Sequence, residues 1–396
     1  MHRASYALCC AVVALAGCWS SFERPNDDAN EGDGVGGNAG MGGAGMGGAG
    51  IGGAGTGGSA GAAGEPIAED AGRTPTDDPS NRCNAEGAFE PLDARDGETC
   101  YELLAHNGAW EGDPLELIQD EHFNQLYYDI PWPDESVATR FGVQQDDRTS
   151  LHHGLVFESN SGARGLIEHD PLGLPFETDA TLIAGWAVGG CNVELPSDMG
   201  LELAGPSSGK KLMVQWHHFN LTGENQYDAS RVQICVVPRS ARAHIGSITI
   251  LGTEGLGGSQ GLPMGVERTY GSSCLNATAE PVTIVAIWPH MHERGISAHA
   301  ELVDGDGTAT SVFDKPFWHE ENVHYAMTPQ VVVAPGQALR TACTYLNNSG
   351  YSTGYGISLI QEQCYQFVFS YPAGALDKPF TYGFIGATNI CLDGWK

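Results

Sequence analysis

The chain has 396 residues, enough for more than one domain, and carries 19 basic against 49 acidic side chains, a formal net charge of −30. A surface this acidic is repelled by phosphate backbones and by anionic headgroups, which argues against nucleic acid as a partner and favours solubility.

The N-terminus begins Met1-His2-Arg3 and then runs apolar from Ala4 to Ala16, too short to span a bilayer as a stable helix. The run ends Leu15-Ala16-Gly17-Cys18, which resembles a bacterial lipobox. The expectation is a lipoprotein signal peptide over 1–17 and acylation of Cys18, with the membrane met only through that anchor. Residue 19 is Trp rather than Asp, so retention at the inner membrane is not signalled. The expected location is the bacterial cell envelope, as an outer-membrane lipoprotein or an extracellular protein. Residues 35–64 contain repeats such as Gly42-Gly43-Ala44-Gly45 and almost no large apolar side chains, so burial cannot offset their ordering entropy. Residues 18–82 therefore read as the lipidated cysteine and a disordered Gly/Ala-rich tether.

From Cys83 the composition becomes globular. Amphipathic helices are scarce, and short β-rich runs are bounded by Gly, Pro, Asn and Asp: Leu151–Glu158, Lys211–Leu221, Arg231–Val237, Val282–Trp288, Val331–Ala334 and Tyr365–Tyr371. Asp304-Gly305-Asp306-Gly307 between apolar runs predicts a hairpin turn. The pattern is that of antiparallel sandwiches, and the length suits two in tandem. The polar stretch Pro238-Arg239-Ser240-Ala241-Arg242 places the boundary near residue 240, giving all-β domains over 83–240 and 241–396.

Eleven cysteines are present. Cys9, Cys10 and Cys18 belong to the leader and anchor. The other eight (Cys83, Cys100, Cys191, Cys235, Cys274, Cys343, Cys364 and Cys391) are an even number in an exported chain and read as disulfides. No C-x-x-C pair follows residue 18, which argues against a zinc ribbon or a thioredoxin site.

Among fourteen histidines, three clusters fall on predicted strands: His152-His153, His217-His218 and His290-Met291-His292. Residues i and i+2 of a strand share a face, so His290 and His292 form a bidentate pair suited to copper or zinc. Adjacent histidines point to opposite faces, so His152 and His153 can share one ion only if the backbone bulges there. The remaining histidines show no ligand spacing and read as surface or packing residues; His319 and His324, flanking Glu320-Glu321, are a weaker metal candidate. No Gly-x-Ser-x-Gly elbow, P-loop or dinucleotide fingerprint occurs in a strand–helix context.

The order of these clusters and the sequence around them carry a family resemblance. Leu151-His152-His153-Gly154-Leu155-Val156-Phe157, Ala184-Gly185-Trp186-Ala187-Val188-Gly189, Lys211 to Asn220, His290-Met291-His292, Thr341-Ala342-Cys343-Thr344-Tyr345 and Glu362-Gln363-Cys364 occur in one order over roughly residues 140–375. Together they resemble the copper type II ascorbate-dependent monooxygenases. The resemblance implies two copper ions per chain. His152, His153 and His217 would form an electron-transfer site in the first domain. His290 and His292 would hold an oxygen-binding copper in the second, the two clusters facing one another across a cleft. It implies hydroxylation of an activated C–H bond of a small molecule with dioxygen and a reductant such as ascorbate. It also implies the disulfides Cys343–Cys364 and Cys274–Cys391, with Cys235 reaching back to Cys83 or Cys100 and Cys191 taking what is left.

Three positions depart from the family pattern. Gln363 stands where the family has a methionine ligand, and neither Met291 nor Met327 falls in that motif. An amide oxygen is a harder donor than a thioether and favours the oxidised ion. Gln363 is carried forward as the third donor to the second copper, and it also motivates the rival expectation of a non-catalytic surface lipoprotein that binds or scavenges copper. Trp288 replaces the arginine with which peptide-amidating members grip a carboxylate, and His218 stands at a family tyrosine and is not expected to be a ligand.

Overall fold

In the computed structural model the described residues are 91–107, 113–146, 150–160, 162, 167–169, 180–187, 190–252, 261–317, 322–354, 356, 358, 361–378 and 389–391. The leader, Cys18, the tether, Cys83 and His319 with Glu320 and Glu321 lie outside them. Described strands of the first half are β1 (Thr99–Leu104), β2 (Leu115–Leu117), β3 (Asp120–Tyr128), β4 (Ser136–Gln144), β5 (Leu151–Ser159), β6 (Ile167–His169), β7 (Thr181–Ala187), β8 (Val193–Glu194), β9 (Met199–Glu202), β10 (Lys211–Asn220), β11 (Gln226–Asp228) and β12 (Arg231–Pro238). The second half contributes β13 (His244–Gly252), β14 (Glu267–Leu275), β15 (Val282–His290), β16 (Gly295–Val303), β17 (Ala309–Pro316), β18 (Tyr325–Val333), β19 (Ala338–Leu346), β20 (Tyr365–Tyr371) and β21 (Ile390–Cys391). The protein is all-β, as its sequence pattern implies.

One long sheet runs β1-β12-β4-β9-β13-β20-β15-β18. Its first part packs against the sheet β6-β3-β10-β5-β7, and its last part against the sheet β14-β19-β16-β17, giving two sandwiches. The halves therefore share a sheet: β9 pairs in parallel with β13 through Met199↔His244, Ile245↔Gly200 and Gly246↔Leu201.

Period-2 side-chain alternation explains how one sheet serves two cores. On β20, Val368 enters the second core while Phe367 and Phe369 face the first. On β15, Ile284 and Ile287 enter the second core and Val285, Ala286 and Trp288 the first, because the register shifts between Ile284 and Ala286. Strands covered on both faces have no polar face to show, which is why Ile284-Val285-Ala286-Ile287-Trp288 is an unbroken apolar run. Contact between the sandwiches is close at Gly185 on β7. A Cβ there would lie 2.7 Å from Trp288 and 2.8 Å from Leu155, so only glycine lets the indole seat.

The predicted hairpin joins β16 to β17. Gly307 N–H donates to Asp304 O at 2.9 Å, and Gly307 takes a φ of 88°, which suits glycine. The strand read from Val331 begins earlier, at Tyr325; β18 is an edge strand, where Pro329 is tolerated although it interrupts the apolar pattern. Disulfides join Cys343 to Cys364 and Cys274 to Cys391, as the resemblance implies. Cys235 pairs with Cys100, its direct cross-strand neighbour on β1.

Candidate metal centre

Two strands of the first half and one of the second bring the five singled-out imidazoles together. On β10, Leu212, Val214 and Trp216 face the first core, while the alternate residues Gln215 and His217 are buried on the opposite face. On β5, His153 pairs with His217 and Leu151 with His218, so His152 is the extra residue of a bulge. The bulge is the irregularity that adjacent histidines require in order to aim at one point. His290 ends β15, and His292 follows on the turn to β16.

Ring centroids of His152, His153 and His217 lie 4.8–5.5 Å apart, and their ligating nitrogens fall within 4.8 Å of one another. His290 and His292 are 5.5 Å apart. Across the two halves, His152 lies 6.0 Å from His292 and 6.3 Å from His290, and His153 lies 6.3 Å from His290. The two expected clusters thus lie side by side as neighbours, with centroids 6.0–6.3 Å apart across the halves. The physical reason is the seating of Trp288 against β7, which closes the two sandwiches onto each other.

Acceptors fixed by the fold set the ring tautomers. Asn322 Oδ1 accepts from His290 Nδ1 at 3.2 Å, and the carbonyl of Gln361 accepts from His292 Nδ1 at 2.9 Å. Glu121 Oε1 accepts from His217 Nε2 at 2.9 Å, and Gln215 Oε1 from His153 Nε2 at 3.4 Å. An oxygen acceptor requires N–H on the nitrogen it meets, so His290 and His292 keep a lone pair on Nε2 and His153 and His217 on Nδ1. Nδ1 of His217 is buried and has no hydrogen-bond partner. Burial, reinforced by His290, holds His153 down at about 3, and burial with four neighbouring histidines holds His217 well below the ordinary imidazole value. Neutral imidazoles with inward lone pairs are the donor set that copper or zinc takes. Phe123 stacks on His217 at 3.9 Å and fixes the ring plane.

The other candidates separate from this group. Gln363 flanks it between Glu362, which accepts from the backbone N–H groups of His292 and Arg294, and disulfide-bonded Cys364. Gln363 is engaged through its backbone carbonyl, which accepts from the Tyr345 hydroxyl. Met291 and Met327 both pack in the second core. His218 points the other way on β10 and is buried against Asp228 at 2.9 Å. His324 stacks on Trp288 at 4.5 Å with Phe141 and Phe369 at its edges, far from ligand chemistry. Sequence reasoning missed the orienting residues Glu121, Gln215, Asn322 and Gln361. Only Gln215 carried a signal, two residues before His217 on the same strand face.

The fold and the five-ring group define an all-β protein with a buried polyhistidine centre between its sandwiches. The chain matches, over residues 265–382, the family model described as copper type II ascorbate-dependent monooxygenase, C-terminal domain. It is 27% identical over 240 residues to mouse DBH-like monooxygenase protein 2, covering 57% of this chain and 39% of that one. It is 23% identical over 252 residues to the Drosophila melanogaster MOXD1 homolog 1, covering 57% and 36%. Human dopamine beta-hydroxylase is 25% identical over 210 residues, covering 50% and 33%. The chain thus spans between a third and two fifths of the length of these relatives. A solved N-glycanase F superposes with a TM-score of 0.35 at 8% identity over 69% of this chain and 96% of that one, too loose a likeness to carry a conclusion.

Proposed function

We propose that this chain is a copper-dependent monooxygenase that hydroxylates an activated C–H bond of a small molecule, using dioxygen and a one-electron reductant such as ascorbate. The observation that carries this reading is the convergence of five imidazoles, four of them buried and His153 half-buried, in a chain whose residues 265–382 match this family's model. His152, His153 and His217 would hold one copper, and His290, His292 and Gln363 a second. Copper, when bound, supplies the one-electron chemistry with dioxygen; the protein supplies donor geometry and a dry site. Asn322, Gln361, Glu121 and Gln215 hold four rings in the tautomers that present lone pairs. Trp288 and Phe367, stacked at 4.4 Å, give the surroundings of His290 an aromatic, uncharged wall.

A second reading, copper binding without turnover, is favoured by one observation: the residue at the thioether position is Gln363. The two readings separate in one experiment. The protein is loaded with copper, ascorbate is added, and oxygen uptake is followed with a panel of small aromatic and aliphatic C–H substrates. Substrate-dependent uptake supports the enzyme; two tightly held coppers with no coupled uptake support the second reading; and failure to hold copper sinks both. Location at a bacterial envelope through acylated Cys18 is part of the proposal, and a Cys18→Ser variant that still partitions with membranes would refute it.

A further inference from the structure

One pair of hydrogen bonds beside the five rings crosses from one sandwich to the other. Glu121 lies on β3, opposite Phe219 of β10. Its Oε1 accepts from Nε2 of His217 at 2.9 Å, and its Oε2 accepts from the Ser358 hydroxyl at 2.7 Å. Ser358 belongs to the second half. Its backbone carbonyl accepts from Gln361 N–H at 2.8 Å, and the carbonyl of the same Gln361 accepts from Nδ1 of His292 at 2.9 Å. Four hydrogen bonds thus lead from an imidazole of the first sandwich to an imidazole of the second.

We propose that Glu121 and Ser358 form a clasp that holds the two sandwiches together at the metal centre and makes the placement of His217 depend on Ser358 and Gln361, the latter of which places His292. The inference rests on the reading that these imidazoles hold copper. Both carboxylate oxygens are engaged, one by each half, so the two bonds coexist only when the sandwiches are closed. A carboxylate on the far nitrogen of an imidazole also fixes the ring and strengthens its donor nitrogen. Glu121 keeps a 20% exposed side chain, so the clasp sits at the edge of the buried centre. Glu121 and Ser358 are positioning residues; neither is a metal donor in this assignment.

The test uses the full chain in five forms: unaltered, Ser358→Ala, Ser358→Thr, Glu121→Ala and the double Glu121→Ala/Ser358→Ala. Copper affinity is measured by competitive titration, with the electron paramagnetic resonance signal assigning each ion to its histidines. Ser358→Ala touches no imidazole, yet it is expected to weaken the copper held by His152, His153 and His217 by ~10-fold, the scale seen for outer-shell partners of metal ligands. Ser358→Thr, which keeps the hydroxyl, is expected to retain the affinity. In the double variant the losses should not multiply, because the two residues act through one contact. An unchanged first-half copper in Ser358→Ala, or losses that multiply, overturns the clasp. The same cycle is run on urea unfolding of the metal-free protein, where coupling between the two substitutions is also expected. If the unaltered protein holds no copper, the functional reading falls, and this second cycle decides the clasp alone: coupling sustains it and additivity overturns it.

Discussion

An amide oxygen at position 363 is a harder donor than sulfur, and it tilts a copper site toward Cu(II). With copper held on His290 and His292 as proposed, Gln363→Met is therefore expected to stabilise Cu(I) and raise the reduction potential; an unmoved potential means that residue 363 is not a donor. On the proposed pair of donor sets, His290→Ala should release about one of two coppers and leave the ion on His152, His153 and His217, as counted by metal analysis; loss of both or of neither contradicts separate donor sets. His324 makes a different argument. Its ring nitrogens are buried without partners among Trp288, Phe141 and Phe369, and burial lowers its pKa from the ordinary 6.5 to about 3. Below pH 6.5 the unfolded chain binds a proton there that the folded chain refuses, so stability is lost as pH falls from about 6.5 toward about 3, by up to ~1.4 kcal/mol per pH unit. His324→Phe should flatten this dependence, with a gain in unfolding free energy that is larger at pH 5 than at pH 8. An equal gain at both values would mean that the ring is not kept neutral by its surroundings.

At the scale of elements, the join between β7 and β15 positions everything else. Gly185→Ala would put a methyl group inside van der Waals contact with Trp288, which overpacking data price at ~1–3 kcal/mol. The expected outcome is a lowered unfolding midpoint together with weaker copper binding, since the indole that backs His290 must move. Retained affinity alongside lowered stability would separate the join from the centre. Much of this level was legible in the sequence. Leu151 to Phe157 reads as a strand from its apolar spacing, and adjacent His152 and His153 imply a bulge if both serve one ion. The pairing that creates the bulge, Leu151 with His218 and His153 with His217, was not legible, because register between strands some sixty residues apart leaves no local trace.

For the whole molecule, the disulfides and the shared sheet act together. Cys343–Cys364 ties β19 to the start of β20, next to Glu362, which grips the backbone of His292 and Arg294. Burial pushes the Glu362 carboxyl up to about 7, against the pull of Arg294 and two backbone N–H groups. Replacing both cysteines with alanine is expected to cost ~2–5 kcal/mol in calorimetry or denaturant unfolding. A copper held on His290 and His292 as proposed should be lost before global unfolding, because the segment that orients them loses its covalent tie. Simultaneous loss of both would mean that the bond supports the fold as a unit.

The sequence by itself determined the all-β class, the imidazole clusters, the even set of eight cysteines and the family resemblance, since strand alternation, His-x-His spacing and residue counts are properties of short stretches read in order. Tertiary structure alone decided that rings from both halves form one group, that Cys235 meets Cys100, and that Glu121 and Ser358 lie between His217 and Gln361 beside His292. Those outcomes depend on which faces of distant strands pack together. Packing is settled by the complementarity of whole sheets, such as an indole against a glycine, and no single stretch of chain contains it.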